Sequence, residues 1–337
     1  MFRVKTSEAD RKLALPCFCV RYGRRSRAFN FHHGVFSNLT RRRIKNLRLC
    51  AALIVVCSAA CSVEMTQPAP VLSRSVIDDL GRTVHLPPKI ERAVSLAPNL
   101  TENIFAVGAG DRLVGVTTYC DYPDEARSIA KVGDTQTPNV ERIIALRPQV
   151  VFVSTASQLE AFTRTLSDQN ISIFVTNPTG FDGVLKNLEQ FGLLFETQER
   201  ARELVDGLRR RAAEVERKYA GEKPVRVFVQ ISREPLYTIG KGSFLTEIIP
   251  LAGGVVVTRD VEKAFPVLSK ETALALAPQA IILSDSADNL EPNDAFTDSP
   301  AVRQGMVFRI NPDILSRPGP RLVDALEEIG RDLHKAQ

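Results

Sequence analysis

The chain carries one phrase twice. Residues 141–154 read Glu-Arg-Ile-Ile-Ala-Leu-Arg-Pro-Gln-Val-Val-Phe-Val-Ser, and residues 271–284 read Glu-Thr-Ala-Leu-Ala-Leu-Ala-Pro-Gln-Ala-Ile-Ile-Leu-Ser. The copies agree at Glu141/Glu271, Ala145/Ala275, Leu146/Leu276, Pro148/Pro278, Gln149/Gln279 and Ser154/Ser284. A weaker echo precedes each copy: Leu100-Thr101-Glu102 leads to Gly108, and Leu245-Thr246-Glu247 leads to Gly253 and Gly254. Echo and phrase recur in the same order, so the chain reads as two related halves. Two similar lobes enclose a cleft, and clefts are where small ligands are held.

The net charge of +5 hides a division. Residues 1–60 hold 13 Lys and Arg against Glu8 and Asp10, while the remaining 277 residues hold 31 basic and 37 acidic side chains. The basicity belongs to a leader, and the body is mildly acidic. A nucleic-acid partner would need a basic face on the folded part. In the leader, Arg41, Arg42, Arg43, Lys45 and Arg48 precede an uncharged run over 49–60. Twelve residues suit the apolar region of an export signal and are too short for a permanent membrane span. Ser58-Ala59-Ala60 then precedes Cys61, an arrangement that resembles a lipoprotein processing site, with plain cleavage after Ala60 as the alternative. Residues 1–39 exceed what a signal needs and read as a mis-assigned start. Once the leader is removed, Cys61 and Cys120 remain, so no disulfide framework is expected. Residues 61–75, with Pro68 and Pro70, read as a tether.

A small hairpin is expected over 76–84. The first half then alternates: strands over 93–96, 113–116, 150–153 and 171–175, helices over 101–107, 140–146 and 161–169. The second half repeats this with strands over 225–229, 255–257 and 280–283, helices over 244–251 and 271–276, and a closing helix over 321–333. Such alternation predicts mostly parallel sheets covered on both faces. Between the halves, apolar residues at Leu185, Leu188, Phe191 and Leu194, then at Ala201, Leu204, Leu208, Ala212 and Val215, follow helical spacing. The second of these stretches reads as a long strut. The division is a leader over 1–60, a tether over 61–75, lobes over 76–180 and 223–337, and a linking helical segment over 181–222.

Motifs for enzymatic chemistry are missing. Gly108-Ala109-Gly110 opens like a dinucleotide fingerprint, but it follows a helix and Leu113 stands where the third glycine belongs. Past the leader only His85 and His334 occur. Histidine is the commonest metal ligand and a frequent general base, so its scarcity speaks against a zinc or manganese site and a triad hydrolase; an α/β enzyme using a nucleotide or metal would need a phosphate loop or a ligand cluster, and the sequence offers neither motif. No catalytic residue, metal or cofactor is assigned. Glu141 and Glu271 each stand two residues after a good N-cap, Asn139 and Ser269. Each complements a helix dipole, or else the pair presents one exposed anion per lobe to a partner's cations. Tyr119 follows a strand end, where ligands gather in open α/β sheets. Phe265 stands six residues before Glu271. Asp313 and Arg317 share a proline-rich loop over 311–320 and by themselves suggest an ordinary surface ion pair.

The stretches Ala-Val-Ser-Leu-Ala-Pro-Asn-Leu-Thr-Glu (93–102), Gly-Val-Thr-Thr-Tyr-Cys-Asp-Tyr-Pro (115–123) and Asn-Val-Glu-Arg (139–142) resemble, in order, the iron-siderophore/cobalamin substrate-binding proteins of ABC importers. The resemblance covers about 75–335, with the binding domain at about 92–337. It implies the class III periplasmic binding protein fold: α/β, with two Rossmann-like lobes joined by one long helix and a ligand between them. It implies a non-enzymatic, periplasmic monomer, anchored by a lipid on Cys61, that captures cobalamin or another corrinoid. A ferric siderophore or haem is the alternative within the family. It implies that Glu141 and Glu271 dock on the permease dimer, and that Tyr119, Phe265, Asp313, Arg317, Thr135, Gln136, Pro98 and Asn99 surround the ligand. Enteric cobalamin binders present tryptophans where this chain has Thr135 and Phe265, and this chain contains no Trp. Phe265 retains aromatic area for a corrin face, whereas Thr135 does not.

Overall fold

A computed structural model describes residues 73–154 and 165–335. The leader, Cys61, the tether up to residue 72 and residues 161–164 of the helix expected over 161–169 lie outside the described residues. The expected tether overruns into folded structure: β1 (Arg74–Ile77) pairs antiparallel with β2 (Thr83–Leu86), and Arg74 and Ser75 already face Leu86 and His85.

The first lobe follows as β3 (Ala93–Ser95), α1 (Pro98–Ala106), β4 (Leu113–Val116), α2 (Val140–Ala145), β5 (Val150–Ser154) and β6 (Ser172–Thr176). Its sheet is wholly parallel, in the order β4-β3-β5-β6. Two linking helices come next, α3 (Gly180–Leu194) and α4 (Gln198–Tyr219). The second lobe contains β7 (Val225–Ser232), β8 (Tyr237–Thr238), α5 (Phe244–Ile248), β9 (Gly254–Val256), α6 (Lys270–Leu276), β10 (Ala280–Ser284), α7 (Pro300–Arg303), β11 (Val307–Ile310), α8 (Pro312–Leu315) and α9 (Leu322–Leu333). There β9, β7, β10 and β11 are joined in parallel in that order, and β8 is antiparallel to the far end of β7. The order matches the first lobe strand for strand, so the repeat read from the sequence is a repeat of topology. No helix among the described residues is long and apolar enough to cross a membrane.

The central strands are apolar throughout because helices cover both sheet faces. Along β5, Val150 and Phe152 enter one core while Val151 and Val153 enter another; along β10, Ala280 and Ile282 divide in the same way from Ile281 and Leu283. Helix α4 joins the lobes through its apolar stripe. Ala201, Val205 and Leu208 pack in the first lobe's core, and Ala212, Val215 and Tyr219 pack in the second's. With 22 residues at 1.5 Å each, the helix spans about 33 Å.

The repeated phrase builds the same joint in each lobe. The side chains of Asn139 and Ser269 accept the amides of Arg142 and Thr272, capping α2 and α6. Past each helix, Arg147 and Ala277 take positive φ (47° and 41°), and the chain turns through Pro148 or Pro278 into the strand. Gln149 Oε1 then accepts the amides of Glu91 and Arg92 at 2.6 and 3.0 Å, and Gln279 Oε1 accepts that of Arg226 at 2.9 Å. Arg92 and Arg226 return the contact by donating to the carbonyls of Leu146 and Leu276. Each phrase thereby ties its helix–strand unit to the start of the neighbouring central strand.

The expected polar loop over 311–320 is corrected: it contains the one-turn helix α8, with Pro312 at its first position and the Asn311 side chain accepting the Asp313 amide. Expected helix 101–107 starts three residues earlier, at Pro98, whose fixed φ and missing N–H suit a first helical position.

Replacing Gln149 or Gln279 by Ala is expected to cost about 0.5–1.5 kcal/mol each. The two losses should add, because the sites share no partner. Urea denaturation midpoints of the two single variants and the double variant check this.

Candidate functional site

A cavity of about 400 Å³ opens between the lobes at the carboxyl ends of the first lobe's strands. Ser154 and Thr176, register partners at the ends of β5 and β6, line one wall with Asn99 at the start of α1. Phe265, Ser243 and Phe244 line the other. Phe265 is half exposed (50%), which leaves its ring face available to a ligand. Its loop is held firmly: the amides of Thr238, Gly240 and Lys241 donate to Pro266, Ala264 and Val261 carbonyls at 2.9–3.1 Å. Gly240 permits that approach, since a Cβ there would stand 2.4 Å from the Lys263 oxygen.

The other residues expected at the ligand are distributed around this cavity. Tyr119, 60% exposed, stands on the loop after β4 and is absent from the cavity lining. That loop is fixed from below by Thr101, whose hydroxyl is 3.1 Å from the buried Cys120 Sγ, and by Lys131, which donates to the Cys120 and Ala126 carbonyls. Thr135 and Gln136 occupy a turn whose Asp134 carboxylate accepts the Thr137 and Gln136 amides and the Thr137 hydroxyl. Those bonds, the Thr137 amide foremost, hold the Asp134 carboxyl below its ordinary range. Neither Thr135, Gln136 nor Pro98 lines the cavity.

Asp313 and Arg317 are not the ordinary surface pair that their spacing suggests. Arg317 donates to Glu102 at 2.9 Å and Asp121 at 3.1 Å, and pairs with Asp313 at 2.5 Å. Arg321 grips the same Glu102 with two nitrogens, at 2.8 and 2.7 Å, and lies 4.0 Å over the Tyr122 ring. Glu102, Asp121 and Tyr122 belong to the first lobe; both arginines belong to the second. Burial opposes the charge of both arginines, yet the Glu102 and Asp313 carboxylates outweigh it and hold both guanidinium groups above their ordinary range. Ser316 and Pro318, on either side of Arg317, line the cavity. The network thus clamps the lobes together at the cavity's edge.

The echo of this arrangement is Glu247. Its carboxylate stands against Gly180 at the start of α3, where a Cβ would meet Oε2 at 2.3 Å. Glu102 meets the segment leading into α9, and Glu247 meets the segment leading into α3. Each Leu-Thr-Glu therefore contributes a lobe-to-lobe contact.

Glu141 and Glu271 are exposed at the starts of α2 and α6. No ion pair among the described residues engages either one. The Glu271 carboxyl is lowered by its own backbone amide and the Ser269 hydroxyl, so it is ionised at neutral pH.

Comparisons with known proteins agree with this geometry. The model of the family described as periplasmic binding protein matches residues 94–314. A vitamin B12-binding protein of Vibrio cholerae is 32% identical over 249 residues, covering 73% of this chain and 90% of that one. An uncharacterised ABC transporter substrate-binding lipoprotein of Bacillus subtilis is 29% identical over 277 residues, covering 80% and 88%. The crystal structure of the periplasmic vitamin B12-binding protein of Vibrio cholerae superposes with a TM-score of 0.67 at 32% identity, over 74% of this chain and 98% of that one.

Removing one member of a buried charge cluster strands the others. Glu102→Ala leaves two arginines without their shared carboxylate and is expected to lower stability by roughly 3–5 kcal/mol. Asp121→Ala, at the solvent-exposed rim, should cost about 1 kcal/mol or less. Thermal unfolding of the two variants side by side distinguishes the buried member from the rim.

Proposed function

The chain belongs to the periplasmic binding protein family, and we propose that it is the substrate-binding protein of an ABC importer that captures cobalamin or a related corrinoid between its lobes. The relationship to a vitamin B12-binding protein, at 32% identity over nine-tenths of that protein, carries the reading. The half-exposed Phe265 in the cavity wall supports it: an aromatic ring contributes contact area to a flat apolar face. The binding is non-covalent, and release occurs at the permease.

Glu141 and Glu271 are the docking anions, one per lobe, meeting cations of the permease dimer. Their support is their matched position in the two copies of the phrase and their exposure on equivalent helices. The leader exports the chain, and Cys61 receives a lipid that tethers it to a membrane as a monomer. The lobes move little on binding, because α4 is embedded in both cores and the Glu102 cluster bridges them.

Titration of the exported protein with cyanocobalamin tests the ligand. Saturable binding at or below micromolar concentration, followed by calorimetry or visible absorbance, is expected; absence of binding rejects the corrinoid. For docking, replacing Glu141 and Glu271 together by Ala should leave cyanocobalamin affinity unchanged and abolish uptake in cells that depend on this protein. Normal uptake by the double variant rejects the docking role.

A further inference from the structure

Among the described residues, Thr176 Oγ1 and Ser243 Oγ are buried side-chain atoms without a hydrogen-bond partner, and both residues line the interlobe cavity. Thr176 is 1% exposed and Ser243 2%. They stand on opposite lobes, Thr176 closing β6 and Ser243 preceding α5. Several comparable groups elsewhere among the described residues are satisfied, although Thr197 Oγ1, just before α4, and side-chain atoms of Asn103 and Asn187 are also buried without a partner, away from this cavity. The buried hydroxyls of Thr238 and Thr258 donate to the Val229 and Ile239 carbonyls at 2.6 Å. Asn139, Ser269, Asn293, Ser299 and Asn311, each just before a helical turn, all accept an amide. Ser243 occupies the same kind of position and its side chain caps nothing.

A hydroxyl buried without a partner is destabilising, and a serine that forgoes its cap gives up a further contribution. Two such groups on facing walls of one cavity have a common explanation in a ligand that supplies both partners. We propose that the Thr176 and Ser243 hydroxyls are specificity-determining contacts, one from each lobe, for amide or carboxylate groups on the edge of the bound molecule. A hydroxyl both donates and accepts, so a primary amide matches either one. A corrinoid carries amides around its rim, and its flat face is left to Phe265. A site built to hydrogen-bond its ligand discriminates strongly against an analogue that lacks the group, because the protein's own hydroxyl is then left unpaired. This inference rests on the corrinoid reading and deepens it.

The test uses the exported protein with Thr176→Val, Ser243→Ala and the double variant, and has two readouts. Cyanocobalamin affinity should fall about five- to thirtyfold for each single substitution, and Thr176→Ser should restore most of the loss at its position. The melting temperature of the ligand-free protein should be unchanged or raised, because an unsatisfied polar atom has been removed. Wild-type binding with unchanged affinity in the double variant overturns the inference and leaves the corrinoid reading intact. A fall of several degrees in the ligand-free melting temperature assigns the hydroxyls a structural role and also overturns it. If the wild type does not bind cyanocobalamin, the corrinoid reading fails. The same series is then decided with haemin, whose edge carries carboxylates: loss of affinity in the variants supports the hydroxyl contacts, and unchanged affinity or no binding overturns them.

Discussion

Helix α4 belongs to two hydrophobic cores at once. Its residues at Ala201, Val205 and Leu208 complete the first lobe and those at Ala212, Val215 and Tyr219 complete the second. Neither lobe can shed this helix without opening its own core, and each buried aliphatic side chain contributes about 1.5–3 kcal/mol to keeping it there. The cavity inherits its width from this shared element. A flexible linker would leave the lobes to find their separation on binding, at an entropic cost; a helix packed on both sides sets that separation beforehand.

The charged clamp is a second tie between the lobes. Glu102 is nearly fully buried and, among the described residues, pairs with Arg317 and Arg321 from the opposite lobe. A buried charge without partners is far costlier than a buried pair, so separating the lobes at this point would expose one carboxylate and two guanidinium groups to a search for new partners. Ser316 and Pro318 line the cavity on either side of Arg317. The clamp therefore fixes a stretch of cavity-lining backbone while using its own side chains elsewhere.

Much of this architecture was legible in the residues. The six-position identity of 141–154 with 271–284 predicts a twofold pattern, and both copies fold into the same capped helix, positive-φ turn and buried strand. The period of apolar residues over 201–215 predicts a strut, because a helix buried along one stripe must repeat every three to four residues. Strand β11 escaped the reading. It is four residues long with Arg309 exposed, lies at the sheet edge, and lacks the continuous apolar run of β5 or β10. The site was legible only in part. Asn99 and Phe265, set around a ligand by the resemblance, line the cavity; Ser154, Thr176 and Ser243 line it too and carry no expectation from the sequence. One signal could have found Ser154 and Thr176: they end buried parallel strands, where ligands gather in open α/β sheets, a rule applied in the sequence only to Tyr119.

Sequence alone determined what depends on neighbours along the chain: the caps at Asn139 and Ser269, the strand and helix periods, and the doubling of the unit. Tertiary structure decided what depends on groups far apart in sequence. Glu102 reads as the last letter of a helical echo until Arg317 and Arg321 arrive from more than two hundred residues away. Asp313 and Arg317 read as a local pair until the same fold draws them into that cluster. Hydrogen bonds and ion pairs act over a few ångströms, and only packing of the two lobes on α4 brings these groups within that range.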